Sequence, residues 1–307
     1  MADFVSHDLL GEQALALFPA AAQRAAALRP AAYRWGLQGP DPLFFHKVYA
    51  GSPLHKTGNR LHSEKTDELF TIFAEAVHRL TGAAHEIAEA YFYGFLCHYA
   101  LDSSIHPYVY CRQYECIQAM PKENASAIHC RIETDIDTAL YAHFKGGSVT
   151  EFDPTQAYAL TDEETAVLAV LLHHIIRRAF GQDVPTAELR PCFAEMLACQ
   201  KLFYSGSRPL SGTARRAELL LGRGPLLSSH LKGEEPQWDC LNEARKPWCN
   251  LWKPEEERID TVIELFEAAK LRAASLAVNY AAQFDSGWML NISYYEPFDY
   301  GNYKALQ

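Results

Sequence analysis

Five residues that could hold metal ions recur at intervals of four in two stretches of this chain: His98, Asp102 and His106 in the first, and His129 and Glu133 in the second. On an α-helix, residues four positions apart lie on nearly the same side, so each stretch can align its side chains along one face. Imidazole nitrogens and carboxylate oxygens are typical zinc ligands. The spacing therefore predicts two helices that face each other and hold metal between them.

Each pair taken alone has an ordinary structural explanation. His98 and Asp102 could be a buried pair that satisfy each other's hydrogen bonds within an apolar helix. His129 and Glu133 could be a pair on a helix surface. The presence of His106 one turn later, together with the second stretch, favours metal binding.

Asp137 continues the face of Glu133 by one more turn. It could orient a ligand imidazole as a hydrogen-bond acceptor. The alternative, which the sequence favours, is a solvated acid on the helix surface.

Composition indicates a folded chain with a large core. Hydrophobic residues make up 49% of the 307 residues, including 16 Phe, 16 Tyr and 5 Trp, which is far more than disordered chains contain. The formal net charge of −10 disfavours binding to nucleic acid or to an anionic membrane surface. We expect an all-α protein, a single-domain multi-helix bundle over residues 1–307, with a multinuclear zinc site between core helices.

Apolar periodicity predicts the helices that must position the candidate ligands. We expect helices over 9–28, 63–80, 84–104, 124–144, 161–180, 186–203 and 255–284, with few strands. Pro107 should end or kink the third of these helices. A long loop over 35–59 should present Asp41 between Pro40 and Pro42. Residues 205–253 are predicted to form a long loop or lid, whose tryptophans could line a substrate mouth.

The N-terminus and the cysteines predict a cytoplasmic protein. The first residues have no basic region typical of a signal peptide, and no apolar run approaches the roughly 18 residues of a transmembrane helix. The eight cysteines are therefore expected to be reduced and mostly buried. Cys111 and Cys116 lack the second pair that a zinc ribbon needs.

Several short segments together resemble the zinc-dependent phospholipase C family, which shares its fold with the single-strand-specific zinc nucleases of fungi and plants. The two helical segments resemble the core of that family most strongly, and the others occur in the matching order over residues 1–145. The segments are Ser6-His7, Gly39-Pro-Asp41, Gly58-Asn-Arg-Leu-His62, Gly94-Phe-Leu-Cys-His98-Tyr-Ala-Leu-Asp102-Ser-Ser-Ile-His106-Pro and His129-Cys-Arg-Ile-Glu133.

The resemblance implies particular ligands for two zinc ions. The first ion would be held by Asp41, His62, His98 and Asp102, and the second by His106, His129 and Glu133. His55 is an alternative to His62; we favour His62 because it should directly precede a helix, where the backbone is better fixed. His106 follows the aspartate by four residues, whereas the family pattern has six.

A third zinc ion is implied at His7. Secreted members of the family bind this ion with the amine and carbonyl of a processed N-terminal tryptophan, which this chain lacks. The third site would then be incomplete, weaker or closed by water. The alternative explanation of His7 is a polar residue at a helix entrance.

The activity implied is hydrolysis of phosphoric esters by metal-activated water, with Asp41 as both ligand and general base. A phospholipase C-like enzyme would release diacylglycerol and a phosphorylated head group, so its substrate would be a phospholipid or a small phosphoester and its membrane contact peripheral. The alternatives are a single-strand nuclease, a phosphomonoesterase, and a non-catalytic, metal-stabilised binding protein.

Overall fold

The structure, a computed structural model, describes residues 4–48, 50–120, 124–204, 228–232 and 235–286. Helices account for 72% of these residues, and the strands form a single two-stranded sheet, so the predicted all-α bundle is confirmed. The α-helices are α1 (Phe4–Leu15), α2 (Ala20–Leu28), α3 (Pro30–Leu37), α4 (Pro42–Phe45), α5 (Leu54–Ser63), α6 (Thr66–Arg79), α7 (Gly82–Ala119), α8 (Ala125–Lys145), α9 (Asp162–Phe180), α10 (Thr186–Phe203) and α11 (Val262–Ser286).

The long helix α7 is the axis of the bundle. Its middle is buried on all sides, because α1, α2, α3, α6, α8, α9 and α11 all pack against it. Of the two alternatives predicted for Pro107, an end or a kink of the helix, the end is wrong, since α7 continues to Ala119. Proline inside a helix costs about 3 kcal/mol, but Tyr108 and Val109 beyond it are fully buried, and each such burial contributes about 1.5–3 kcal/mol.

Two glycines allow α3 and α7 to touch backbone to backbone. A Cβ atom added to Gly36 would lie 2.1 Å from the carbonyl oxygen of Tyr91, and one added to Gly94 would lie 2.2 Å from that of Tyr33. No larger residue fits this crossing without moving a helix. The contact brings the loop that follows α3 directly against the middle of α7.

Two predictions for the first 63 residues are wrong. The helix predicted over 9–28 is divided into α1 and α2 at Pro19, and the loop predicted over 35–59 contains the end of α3, all of α4 and the start of α5. Pro30 and Pro42 occupy the first turns of α3 and α4. Proline is compatible with that position because its missing N–H has no partner within the helix there, so these prolines begin helices instead of preventing them.

Apart from α7, which extends to Ala119 beyond its predicted end at 104, the later helices follow the predictions closely, except that the helix predicted to begin at 255 begins at Val262. A short antiparallel hairpin of β1 (Trp248–Asn250) and β2 (Lys253–Arg258) precedes it. The hairpin was missed because Glu255, Glu256 and Glu257 give β2 no apolar alternation.

Of the loop or lid predicted over 205–253, residues 205–227 and 233–234 lie outside the described part. None of the eight cysteines forms a disulfide. Among the described residues, no helix combines the length and apolar character needed to cross a membrane.

Candidate metal centre

Four helices and one loop bring the eight predicted ligands into two adjoining groups. Helix α7 contributes three ligands, α8 two, and α1, α5 and the loop before α4 one each. We call His7, Asp41, His62, His98 and Asp102 the inner cluster. We call His106, His129 and Glu133 the outer cluster.

The inner cluster has the spacing of a zinc site. Zinc bonds of about 2.1 Å place neighbouring ligand atoms of a tetrahedral site about 3.4 Å apart. His62 Nε2 lies 3.1 Å from Asp41 Oδ1 and 3.4 Å from His98 Nε2. Asp102 Oδ2 lies 3.3 Å from His98 Nε2 and 3.8 Å from His62 Nε2. These are the four residues that the family resemblance assigns to the first zinc ion.

The outer cluster is built around one carboxylate oxygen. Glu133 Oε1 lies 3.2 Å from His106 Nε2 and 3.0 Å from His129 Nε2. Asp102 connects the two clusters, because its Oδ2 lies 3.8 Å from His106 Nδ1. Any metal ions in the two clusters would thus be close neighbours.

Hydrogen bonds to carbonyl oxygens set the tautomers of two inner histidines. His98 Nδ1 lies 3.0 Å from the oxygen of Leu37, and His62 Nδ1 lies 2.7 Å from that of Gly58. A carbonyl only accepts, so both Nδ1 atoms carry the proton, and each ring presents an Nε2 lone pair when it is neutral. The two Nε2 atoms lie 3.4 Å apart, a contact that is satisfied either by a second proton on His62 or by a metal ion.

His7 also lies in the inner cluster, inside the first turn of α1. Its Nε2 is 3.3 Å from Asp102 Oδ1, and its ring stacks on that of His98 with centroids 4.2 Å apart. The His7 side chain is fully buried, and its Nδ1 has no hydrogen-bond partner among the described residues. Burial without a partner is costly for an imidazole. His7 is therefore better explained as a ligand than as a polar residue at a helix entrance.

The burial of these groups shifts their pKa values. Burial lowers the pKa of His98, His106 and His129 well below the ordinary value, so these rings are neutral and able to bind metal near pH 7. Burial also raises the pKa of Asp41. For His62, burial opposes protonation, but the hydrogen bond and charge of Asp41 outweigh it and raise the pKa.

The free energy of unfolding of the metal-free chain should decrease as the pH falls below about 6.5. In that range the unfolded chain takes up protons at His98, His106 and His129, whereas the folded chain, with its lowered pKa values, does not. His62 and Asp41, whose pKa values are raised, act in the opposite direction, but they are two groups against three, and Asp41 acts only towards the low end of the range. Urea unfolding in a chelator between about pH 8 and about pH 5.5 measures this dependence. A stability that stays constant or rises on acidification would contradict it.

The loop that carries Asp41 is pressed against His98. Gly39 has a φ of +51°, and a Cβ atom there would lie 2.4 Å from His98 Cδ2. The hydroxyl of Tyr91 donates to the carbonyl of Gly39 at 2.9 Å and holds the loop in place. The Pro40-Asp41-Pro42 segment thus reaches the inner cluster through a contact that only glycine allows.

Gly39→Ala should weaken zinc binding and destabilise the chain by about 2–4 kcal/mol, because left-handed strain of about 1 kcal/mol is added to an overpacking cost of about 1–3 kcal/mol. Gly51→Ala is the matched control. Gly51 also has a positive φ of +81°, but nothing lies within 4 Å of its added Cβ. Urea unfolding of both variants, with and without zinc, separates the two costs. Both variants have backbone strain, but only Gly39→Ala has the close contact with His98. Equal effects of the two substitutions would mean that the contact with His98 is unimportant.

The structure distinguishes between the two candidate loop histidines. His62 lies in the last turn of α5, not before a helix start as predicted, and faces Asp41 and His98. His55 Nε2 is engaged with the carbonyl of His46 at 2.9 Å and is not part of either cluster.

Asp137 is not the solvated surface acid that the sequence favoured. Its side chain is fully buried and accepts hydrogen bonds from the backbone amides of Val5 and Ser6 at 3.0 and 2.9 Å. The sequence signal for this role was the four-residue spacing from Glu133, but the partners lie more than 130 residues away along the chain.

Aromatic residues border the outer cluster. The ring of Tyr110 lies 4.9 Å from that of His129, and Trp252 contacts Tyr110 edge to face at 5.4 Å. The other tryptophans of the predicted lid differ: Trp248 is buried against Tyr108, and Trp238 is partly exposed.

Comparisons with protein-family models, curated proteins and solved structures find no match for this chain. The resemblance to the zinc-dependent phospholipase C family therefore remains a prediction. The structure itself provides an all-α bundle with buried histidine and carboxylate groups that could hold metal ions.

Proposed function

We propose that this protein is a zinc-dependent phosphoester hydrolase with phospholipase C-like activity. The observation that carries the proposal is the outer cluster, in which three protein ligands from the described part of the chain converge. Catalytic zinc sites have three protein ligands and keep a fourth position for water or substrate, whereas structural sites are closed by four. The adjoining inner cluster supplies a second group of ligands within reach of the same substrate.

Bound zinc ions would lower the pKa of a water molecule and offset the negative charge of the phosphoryl oxygens. The protein's own groups position the reactants. Asp41 has a carboxylate oxygen in the inner cluster, and in the proposed reaction it holds metal and accepts the proton of the attacking water. The carbonyls of Leu37 and Gly58 keep the rings of His98 and His62 in one orientation.

Substrate would approach from the side of His129. The side chain of His129 is 14% exposed, whereas those of His98 and His106 are fully buried. Tyr110 and Trp252 border that approach and offer apolar surface to an acyl chain or an organic head group. The exposed Glu255, Glu256 and Glu257 of β2 follow Trp252 in the chain and add negative charge, which favours a lipid or small phosphoester over a polyanionic nucleic acid.

Zinc analysis combined with three parallel assays tests the proposal. The zinc-loaded chain is incubated with a phosphatidylcholine analogue, a small phosphodiester and single-stranded DNA. Hydrolysis of the phosphatidylcholine analogue at the glycerol side supports the proposal. Cleavage of DNA alone would support the nuclease alternative, and binding of zinc with no turnover of any substrate would refute the enzyme assignment.

A metal-stabilised binding protein is the second candidate. The inner cluster favours it, because four protein ligands are enough to close a zinc site. For this candidate, zinc should stabilise the fold with a full stoichiometry in the inner cluster, and Glu133→Gln should have no effect on any ligand-binding function.

A further inference from the structure

We propose that Asp137 is a positioning residue for the inner cluster, which it does not itself join. The proposal is that Asp137 fixes the first turn of α1 and, through it, the imidazole of His7. It rests on the proposed metal binding, because its effect is exerted on the affinity for zinc. Asp137 lies on α8 beyond the ligands His129 and Glu133.

The carboxylate of Asp137 is saturated by groups from distant parts of the chain. Besides the amides of Val5 and Ser6, it accepts a hydrogen bond from the Ser6 hydroxyl and one from the hydroxyl of Tyr204 at 3.0 Å. The ammonium group of Lys232 lies 3.3 Å from Oδ2, with both side chains fully buried. One buried anion therefore joins α1, α8, the end of α10 and the segment around Lys232.

The chemistry of these hydrogen bonds explains why Asp137 holds the first turn of α1 firmly. The first amides of a helix have no partner within the helix, and the helix dipole adds partial positive charge there. A carboxylate that accepts hydrogen bonds from two of these amides gives them partners and offsets the partial positive charge. Hydrogen bonds to a charged acceptor are about twice as strong as neutral ones. Lys232 compensates the charge that burial would otherwise make unfavourable.

The position of Asp137 in the fold determines that it acts on His7. Ser6 directly precedes His7, whose Nε2 must stay 3.3 Å from Asp102 Oδ1 on α7. Helix α8 carries Glu133 one turn before Asp137, so the same helix that supplies outer ligands also holds the residue next to an inner ligand. A shift of α1 by a fraction of an ångström would move His7 out of ligand distance.

The test is a zinc titration of the metal-free full-length chain against a competing chelator dye. Asp137→Asn should raise the dissociation constant of one zinc ion by about tenfold or more, the usual cost of losing such an orienting partner. Asp135→Asn is the matched control. Asp135 lies on the same helix but accepts a hydrogen bond from Trp238 Nε1 at 2.6 Å and belongs to neither cluster, so the zinc affinity of this variant should equal that of the wild type.

A double-mutant cycle distinguishes positioning from general destabilisation. In a His7→Ala background, Asp137→Asn should have no further effect on zinc affinity, because the ligand that it positions is gone. The same fold-change in both backgrounds, or no change in either, would overturn the proposal.

Two further variants keep the test decisive if Asp137→Asn alone does not fold because Lys232 loses its counter-ion. The double variant Asp137→Asn with Lys232→Met removes both buried charges, and Ser6→Ala removes only the hydroxyl bond. Each variant should lower the affinity for the same zinc ion, and Ser6→Ala should lower it by a smaller factor. A wild-type chain that binds zinc but hydrolyses nothing overturns only the proposed function, whereas one that binds no zinc overturns both proposals.

Discussion

An Asp102→Asn variant should lose most of the thermal stabilisation that zinc gives to the wild-type chain. Asp102 is a member of the inner cluster and also lies beside the outer one. Its Oδ1 faces His7 at 3.3 Å, and its Oδ2 faces His98 at 3.3 Å and His106 Nδ1 at 3.8 Å. Asparagine keeps the shape of the side chain but replaces one oxygen by an NH₂ group and removes the charge. The inner cluster therefore loses a carboxylate ligand, and the outer cluster loses the negative charge beside His106.

The expected size follows from binding linkage. A ligand at about 1,000 times its dissociation constant stabilises a protein by about 4.1 kcal/mol per site. At about 2.1 cal/mol/K per residue, a chain of this size has an unfolding entropy of about 0.6 kcal/mol/K, so about 1 kcal/mol raises the melting temperature by about 1.5 °C. Two zinc ions should therefore raise the wild-type melting temperature by about 10–15 °C, and the variant should retain less than half of this shift.

Circular dichroism melts in zinc and in chelator measure both states of the protein. The melt in chelator gives the effect of the substitution on the metal-free fold, and the difference between the melts in zinc and in chelator gives the effect on zinc binding. Asp183→Asn is the control, since its side chain is 80% exposed. An Asp102→Asn chain with an undiminished zinc shift would show that Asp102 is not a ligand of the inner cluster.

Glu133→Gln should remove the metal of the outer cluster and with it the hydrolytic activity. Glu133 Oε1 is the acceptor on which His106 Nε2 and His129 Nε2 converge, at 3.2 and 3.0 Å. Glutamine is nearly identical in shape but carries no charge, so two neutral histidines remain as ligands. We expect the zinc content to fall by about one ion per chain and kcat/KM to fall by about 1,000-fold or more, as is typical when a group that stabilises the transition state is lost.

Elemental analysis after gel filtration and the assay on the phosphatidylcholine analogue measure these two losses together. Glu115→Gln on α7 is the control, because Glu115 is half exposed and pairs with Arg112. Retention of both full zinc content and full activity by Glu133→Gln would refute the placement of the second metal. Loss of the ion with undiminished activity would move the chemistry to the inner cluster.

The parts of the centre that depend on local geometry could be predicted from the sequence. Residues four apart on one helix share a face wherever the helix lies, so the alignment of His98 with Asp102 and of His129 with Glu133 needed no knowledge of the fold. The helical class also followed from periodicity, which is a local property.

The parts that depend on contacts between distant segments could not be predicted. The hydrogen bonds from the amides of Val5 and Ser6 to Asp137 join residues more than 130 positions apart. Nothing in the sequence of either segment indicates that it contacts the other. The crossing at Gly36 and Gly94 likewise has no local signal, although it places the Asp41 loop. Helices α4 and α5 were missed because glycine and proline, which usually mark loops, here begin or tighten helices.

The burial of the inner ligands also affects the rate at which a bound ion can leave. His7, His98 and Asp102 expose none of their surface, so an ion seated among them can escape only when part of the bundle opens, and local opening of a core region is rare. An ion beside His129 needs no such event. A chelator should therefore remove the metal ions in two kinetic phases. The outer ion should be lost first, and the inner ion should be lost at the rate at which the bundle opens locally.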